Sequence, residues 1–273
     1  MRTMAVSAVG SGNSIFDVLP QLQQRQSVLF NQLSSGNRLV SAAVDAAGLA
    51  VSQELTSQVN GLGQAQDNAN MANDLFQTAG SAVSTQQGML QQENQLSLEA
   101  ANDTLTSQDR QIIQGQIDQL NQGLNDVAQQ TQFNTQPLLN GQFNGTFQVG
   151  ANAGQTIQSG LNGTGPNDLG VANLDVTTQS GAENAISQIA QGIQTTNAEQ
   201  GAIGATENQL TNASNNAGTA QVNAASALSL VSDTNVAQAS TDLANSLLQQ
   251  QFSLFAMQQQ ASTFALQGSL IPQ

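Results

Sequence analysis

Leu55, Leu62, Ala69, Phe76, Val83 and Leu90 recur every seven residues, and Ala65, Ala72 and Ala79 stand three places after three of them. Polar residues fill most of the positions between. Alternating large and small residues at this spacing mark a helix packed in a coiled-coil-like bundle. The pattern predicts a first long helix from about 41 to about 102, roughly 90 Å in length at 1.5 Å per residue. After a break at Asn102-Asp103-Thr104, Thr106 or Ser107 can cap a second helix, with Asp109 three residues beyond Thr106. Ile113, Ile117, Leu120, Leu124 and Val127 carry its apolar face until Asn134, Pro137 and Asn140-Gly141 end the pattern.

Residues 141–180 change character: Phe143, Phe147, Val149 and Ile157 alternate with Gln, Thr and Gly around the turn-forming Asn144-Gly145 and Ala151-Asn152-Ala153-Gly154. One or two β-hairpins are expected there, followed by a loop from Gly160 to Pro166. The helical period then returns at Ile189, Thr196, Ile203, Leu210, Ala217, Ala224 and Val231, predicting a third long helix over about 182–233. Its interior Gly192, Gly201, Gly204 and Gly218 each lower intrinsic helicity by about 1 kcal/mol relative to Ala, so this helix must lean on its partners.

The two ends carry single stripes. Ile15, Leu22 and Leu29 are seven apart, with Leu19 and Leu33 alongside, and Val236, Leu243, Leu247, Leu254, Met257, Ala261 and Phe264 mark a second amphipathic stretch closed by Gly268 and Pro272. Nothing nearby in sequence covers either stripe. The two ends must pair with each other or wait for another copy. The order terminal helix, long helix, short helix, hairpin, long helix, terminal helix puts both termini at the same end of a rod.

Composition narrows what such a rod can do. Four Arg and no Lys against 18 acidic residues leave a net charge of −14, yet only 8% of residues are charged. Polarity comes from amides instead, 45 Gln and 27 Asn. Four scattered arginines make no phosphate-binding patch, so no nucleic-acid partner is expected. His and Cys are absent, which removes thiol nucleophiles, imidazole bases, disulfides and the usual zinc and haem ligands. Carboxylate chemistry survives on paper, but the acidic pairs Asp103/Asp109 and Asp118/Asp126 have no basic neighbours and read as solvated helix faces. No catalytic residue, cofactor or metal is expected. There is no apolar run long enough for a membrane span, and the start is too short and too polar for a cleaved secretory signal.

The residues themselves then point to a family. Leu33-Ser34-Ser35-Gly36-Asn37-Arg38-Leu39-Val40-Ser41-Ala42-Ala43-Val44-Asp45-Ala46-Ala47-Gly48-Leu49-Ala50 closely resembles the N-terminal signature of bacterial flagellin. Asn60-Gly61-Leu62, Asn68-Ala69-Asn70, Gln130-Thr131-Gln132-Phe133-Asn134, Leu138-Leu139-Asn140-Gly141 and the stretch Phe147 to Ile157 follow in family order. The resemblance covers most of 20–160 and, more loosely, 182–266. Departures include Val44-Asp45 for the usual Asp-Asp pair and Leu230-Val231-Ser232-Asp233 where an acidic stretch usually opens the last helix.

The resemblance implies a mainly α fold: a long antiparallel coiled-coil-like helix bundle with one small β-hairpin region, and termini paired as helices at one end of a rod. It implies an inner domain of residues 1–40 plus 236–273 and a rod domain of 41–235, with no outer variable domain. The implied function is structural, self-polymerisation into the extracellular flagellar filament, with terminal helices that order on assembly. Leu22, Leu29, Leu33, Arg38, Asp45, Leu243, Leu247, Leu254, Met257 and Phe264 are the expected assembly interface, with Arg38 and Asp45 as an ion pair at the hinge. Many copies of the chain itself are the principal partner. An export chaperone, a type III-like flagellar export apparatus, a filament cap and hook–filament junction proteins are further implied partners, and export would proceed without a cleaved signal peptide. Some family members are recognised by an animal innate-immune receptor; the matching positions here are altered, to Asn94, Gln95 and Gln116. A hook–filament junction protein and a non-polymerising coiled-coil adaptor or adhesin are the alternative readings.

Overall fold

A computed structural model describes residues 2–269, with side chains over 18–263. Five helices and two small antiparallel sheets follow one another: α1 (Arg2–Ser35), α2 (Ala46–Ala100), α3 (Ser107–Gln130), β1 (Gln132–Phe133), β2 (Gln136–Pro137), β3 (Asn144–Gln148), β4 (Thr156–Gly160), α4 (Gln179–Ser232) and α5 (Val236–Ser269). They form two compact units, one of Met1–Ser57 with Asn223–Gln273 and one of Gln58–Val222.

The second unit is built on the heptads. In α2 the first row holds Leu62, Ala69, Phe76, Val83 and Leu90, all buried, and the Ala row continues beyond Ala79 into Gln86, Glu93 and Ala100, each fully buried. In α4 Ile189, Thr196, Ile203, Leu210 and Ala217 are buried in turn. Two apolar clusters result. One joins Leu90 and Ala100 to Ile113, Ile117 and Leu124 of α3 and to Ile189 of α4. The other closes Phe76, Val83, Ile203 and Leu210 under Leu138, Leu139 and Phe143, with the Phe76 ring meeting Phe143 and Phe147 edge-on at 6.4 and 5.9 Å.

Several local expectations change. The first long helix begins at Ala46 rather than near 41 because Asp45 Oδ1 accepts the Gly48 N–H at 2.8 Å, an N-cap that fixes the start. The expected hairpin is β3–β4, pairing Phe147 with Ile157. A second one, β1–β2, turns through Asn134 and Thr135, both at positive φ (48° and 68°); this region read as a mere helix end. Residues 161–178 are not a simple loop. Leu161, Leu169, Val171, Leu174 and Val176 are buried, so the segment is a strap across the helices, and it alone connects β4 to α4. At the end of the chain α5 continues through Gly268 to Ser269, and Pro272 lies outside the described residues.

Candidate assembly surface

In the first unit α1 ends at Ser35, and Gly36 adopts φ +69°, the left-handed conformation that closes a helix and turns the chain. The strand-like crossing that follows is stitched to the α4–α5 junction. Arg38 N–H donates to the Ser232 carbonyl at 2.7 Å, Thr234 N–H to the Gly36 carbonyl at 2.9 Å, and the Arg38 guanidinium to the Val231 carbonyl at 2.9 Å. Arg38 also reaches Asp45 at 3.6 Å. Both side chains are partly exposed, so this ion pair contributes under about 1 kcal/mol; the carbonyl bonds do more to fix the corner.

Along the helices, α1 and α5 pack together. Leu22 is buried, while Leu29, Leu33, Leu243 and Met257 are half-buried. The α5 face turned to α1 is small and polar in part, with Ala239 and Ser246 buried and the Ser246 carbonyl accepting the Gln26 amide at 3.1 Å. Leu247 and Leu254 remain exposed. Phe264 lies outside the residues whose side chains are described, as does Ile15. The sequence reading missed three of the exposed apolar groups on α5. Leu248, Phe252 and Phe255 are 52%, 72% and 62% exposed and spaced four and three apart, one stripe on the outer side of α5. A second apolar row beside the first was the available signal. On α1, Phe30 is likewise exposed.

Elsewhere the chain offers little to chemistry. Among the described residues no group of three or more His, Cys, Asp or Glu side chains could hold a metal, and no helix is long and apolar enough to cross a membrane. In the second unit Gln95 and Gln116 line one groove between α2 and α3 together with Leu96, Glu99 and Leu120, whereas Asn94, half-buried, is not among the residues that line it. That groove contains no cationic side chain.

The sequence profile described as the bacterial flagellin N-terminal helical region matches residues 13–144. The flagellin of Halalkalibacterium halodurans is 32% identical over 220 residues, which cover 80% of this chain and 80% of that protein. Flagellin B of Vibrio anguillarum is 44% identical over 127 residues, 46% of this chain, and the chain spans only 34% of the length of that relative. Among solved structures, the crystal structure of Bacillus cereus flagellin superposes with a TM-score of 0.52 at 24% identity, covering 55% of this chain and 88% of that one, a likeness of fold. On these matches the chain belongs to the bacterial flagellin family.

Proposed function

We propose that this chain is a structural subunit that polymerises with copies of itself into the extracellular flagellar filament. The observation that carries the reading is the outward stripe Leu248, Phe252 and Phe255 on α5, with Leu247 and Leu254 at its edges. Large apolar side chains in a row stay in water only at a cost, and a second surface that covers them recovers it. Copies of one chain meeting through unlike surfaces build an open helical polymer when the rotation between neighbours does not close a ring. The family is one of structural proteins, and the absence of His and Cys from the sequence accords with a subunit that performs no covalent chemistry.

In this reading the inner domain comprises residues 1–40 and 236–273 and the rod domain 41–235. The terminal helices gain their full order on docking, because the burial that offsets their ordering entropy is supplied by neighbouring subunits. Leu22, Leu29, Leu33, Arg38, Asp45, Leu243, Leu247, Leu254, Met257 and Phe264 belong to the interface between copies. An export apparatus with its chaperone, a cap and a junction protein are the partners such a subunit needs. The altered Asn94, Gln95 and Gln116 imply weak recognition by the innate-immune receptor, since amides replace a bidentate guanidinium. Electron microscopy after salting out purified monomer tests the central claim. Long filaments are expected, and a chain that stays monomeric overturns it.

A further inference from the structure

Glu93 occupies a position in α2 where the heptad calls for an apolar residue. It continues the row Ala65, Ala72, Ala79 and Gln86, one turn past Leu90, and is 0% exposed. Gln86 in the same row donates its amide N–H groups to the carbonyls of Leu124 and Thr164, at 3.2 and 3.0 Å, while its Oε1 has no partner. Neither carboxyl oxygen of Glu93 has a hydrogen-bond partner.

Among the described residues no cation pairs with it. On α2 the other acid of this stretch, Glu99, is exposed. On α3 Asp109, Asp118 and Asp126 are exposed. Arg110 spends its guanidinium on the carbonyls of Ala100, Asn102 and Leu105, at 2.8, 2.8 and 3.1 Å. On α4 Glu183 is exposed, Glu199 is bonded to Asn162, and Glu207 lies two turns farther on. Asp168 and Asp175 of the strap are exposed. Every carboxylate around the site is of like sign, and the core beside it is Leu90, Ile113, Ile117 and Ile189 with Leu96 and Ile193 at its margin.

We infer that Glu93 is a proton-operated packing switch, neutral when buried between α2, α3 and α4 and loosening that packing when it ionises. Burial alone pushes its carboxyl up to about 8. The folded chain therefore holds a proton that the unfolded chain has released at every pH between the ordinary carboxylate range and about 8. Stability falls as pH rises through that window and levels off above it. The composition makes this switch unusually isolated. With no His, Cys, Lys or Tyr in the sequence, no other side chain has an ordinary titration between about pH 6 and 9.

The test is urea unfolding of the full-length monomer from about pH 6 to 9 at fixed ionic strength, for wild type and Glu93→Gln. Wild type should lose up to about tenfold in its folding constant per pH unit through the lower part of this range, the loss expected for one proton. Glu93→Gln should stay flat to within about twofold, and any slope from the α-amino group is common to both chains and cancels in the difference between them. Parallel pH profiles for the two would overturn the inference. If Glu93→Gln fails to fold, carboxyl 13C NMR of wild type labelled at Glu decides the matter. One carboxyl titrating above about pH 7 supports the switch, and a full set below about pH 5.5 refutes it.

Discussion

Glu199 of α4 grips Asn162 at both ends. Its Oε1 accepts the Asn162 backbone N–H at 3.0 Å and its Oε2 accepts the side-chain amide at 2.7 Å. Glu199 is itself buried, so this double bond pins the strap just after Leu161 enters the core. Glu199→Gln presents an N–H where an acceptor is needed and leaves one donor of Asn162 unpaired. Hydrogen bonds to charged groups contribute about 1.5–3 kcal/mol, and a loss of that size is expected in urea unfolding at neutral pH. The exposed Glu183→Gln, on the same helix, should remain within about 0.5 kcal/mol of wild type.

The start of α3 is closed by a reciprocal cap. Thr106 Oγ1 accepts the Asp109 N–H at 3.3 Å while the Thr106 N–H and hydroxyl both donate to Asp109 Oδ2, at 3.0 and 2.7 Å. Thr106→Ala should cost about 1 kcal/mol at neutral pH. The hydroxyl bond, then the backbone bond, holds the Asp109 carboxyl below its ordinary value. A depressed carboxyl stabilises the fold above its unfolded pKa and ceases to do so as pH falls through its folded one. The penalty for Thr106→Ala is therefore expected to shrink in acid. Paired denaturation curves at neutral pH and near pH 2 check this, and an equal penalty at both would count against the carboxylate's part in the cap.

The glycines of α4 fall into different classes once space is considered. A Cβ on Gly201 or Gly204 meets nothing within 4 Å, whereas one on Gly192 lies 3.2 Å from the Leu169 carbonyl and 3.3 Å from Val171 Cγ1. Gly201→Ala and Gly204→Ala should each stabilise the chain by up to about 1 kcal/mol, through helix propensity and a less flexible unfolded state. Gly192→Val must push the strap outward and should destabilise by about 1–3 kcal/mol, as overpacking does. Thermal melts of the three variants give the signs directly.

The heptads made most of this architecture legible, and the misses have distinct physical causes. Ile189 to Ala224 are buried as their spacing requires, because a seven-residue period states which face of a helix is covered. The row holding Gln86 and Glu93 was visible in principle. Its unbroken apolar run ends at Ala79, and the polar Gln86 and Glu93 beyond carry no hydrophobic period. The strap was missed for the opposite reason. Leu169, Val171, Leu174 and Val176 are buried without regular structure, so no period announces them, and their partners lie on helices distant in sequence. At the proposed assembly surface the sequence supplied the stripe holding Leu243 and Met257. Leu248, Phe252 and Phe255 escaped because an α5 apolar on two sides satisfies one amphipathic stripe and still has residues left over.

Those leftover residues give the sharpest test of the filament reading. Phe252 and Phe255 are exposed in the single chain, so replacing both with Asp removes no buried contact within it. The unfolding midpoint of Phe252→Asp/Phe255→Asp should stay near wild type, as surface substitutions generally do. In a polymer the same rings are covered, and fully burying one such side chain contributes about 1.5–3 kcal/mol. Losing both should weaken subunit addition by at least about a hundredfold, before the cost of burying the new carboxylates is counted. Sedimentation and electron microscopy after salting out should show folded subunits that do not elongate. Filaments of normal length and yield from this variant would place the intersubunit surface elsewhere, even if the wild-type chain polymerises.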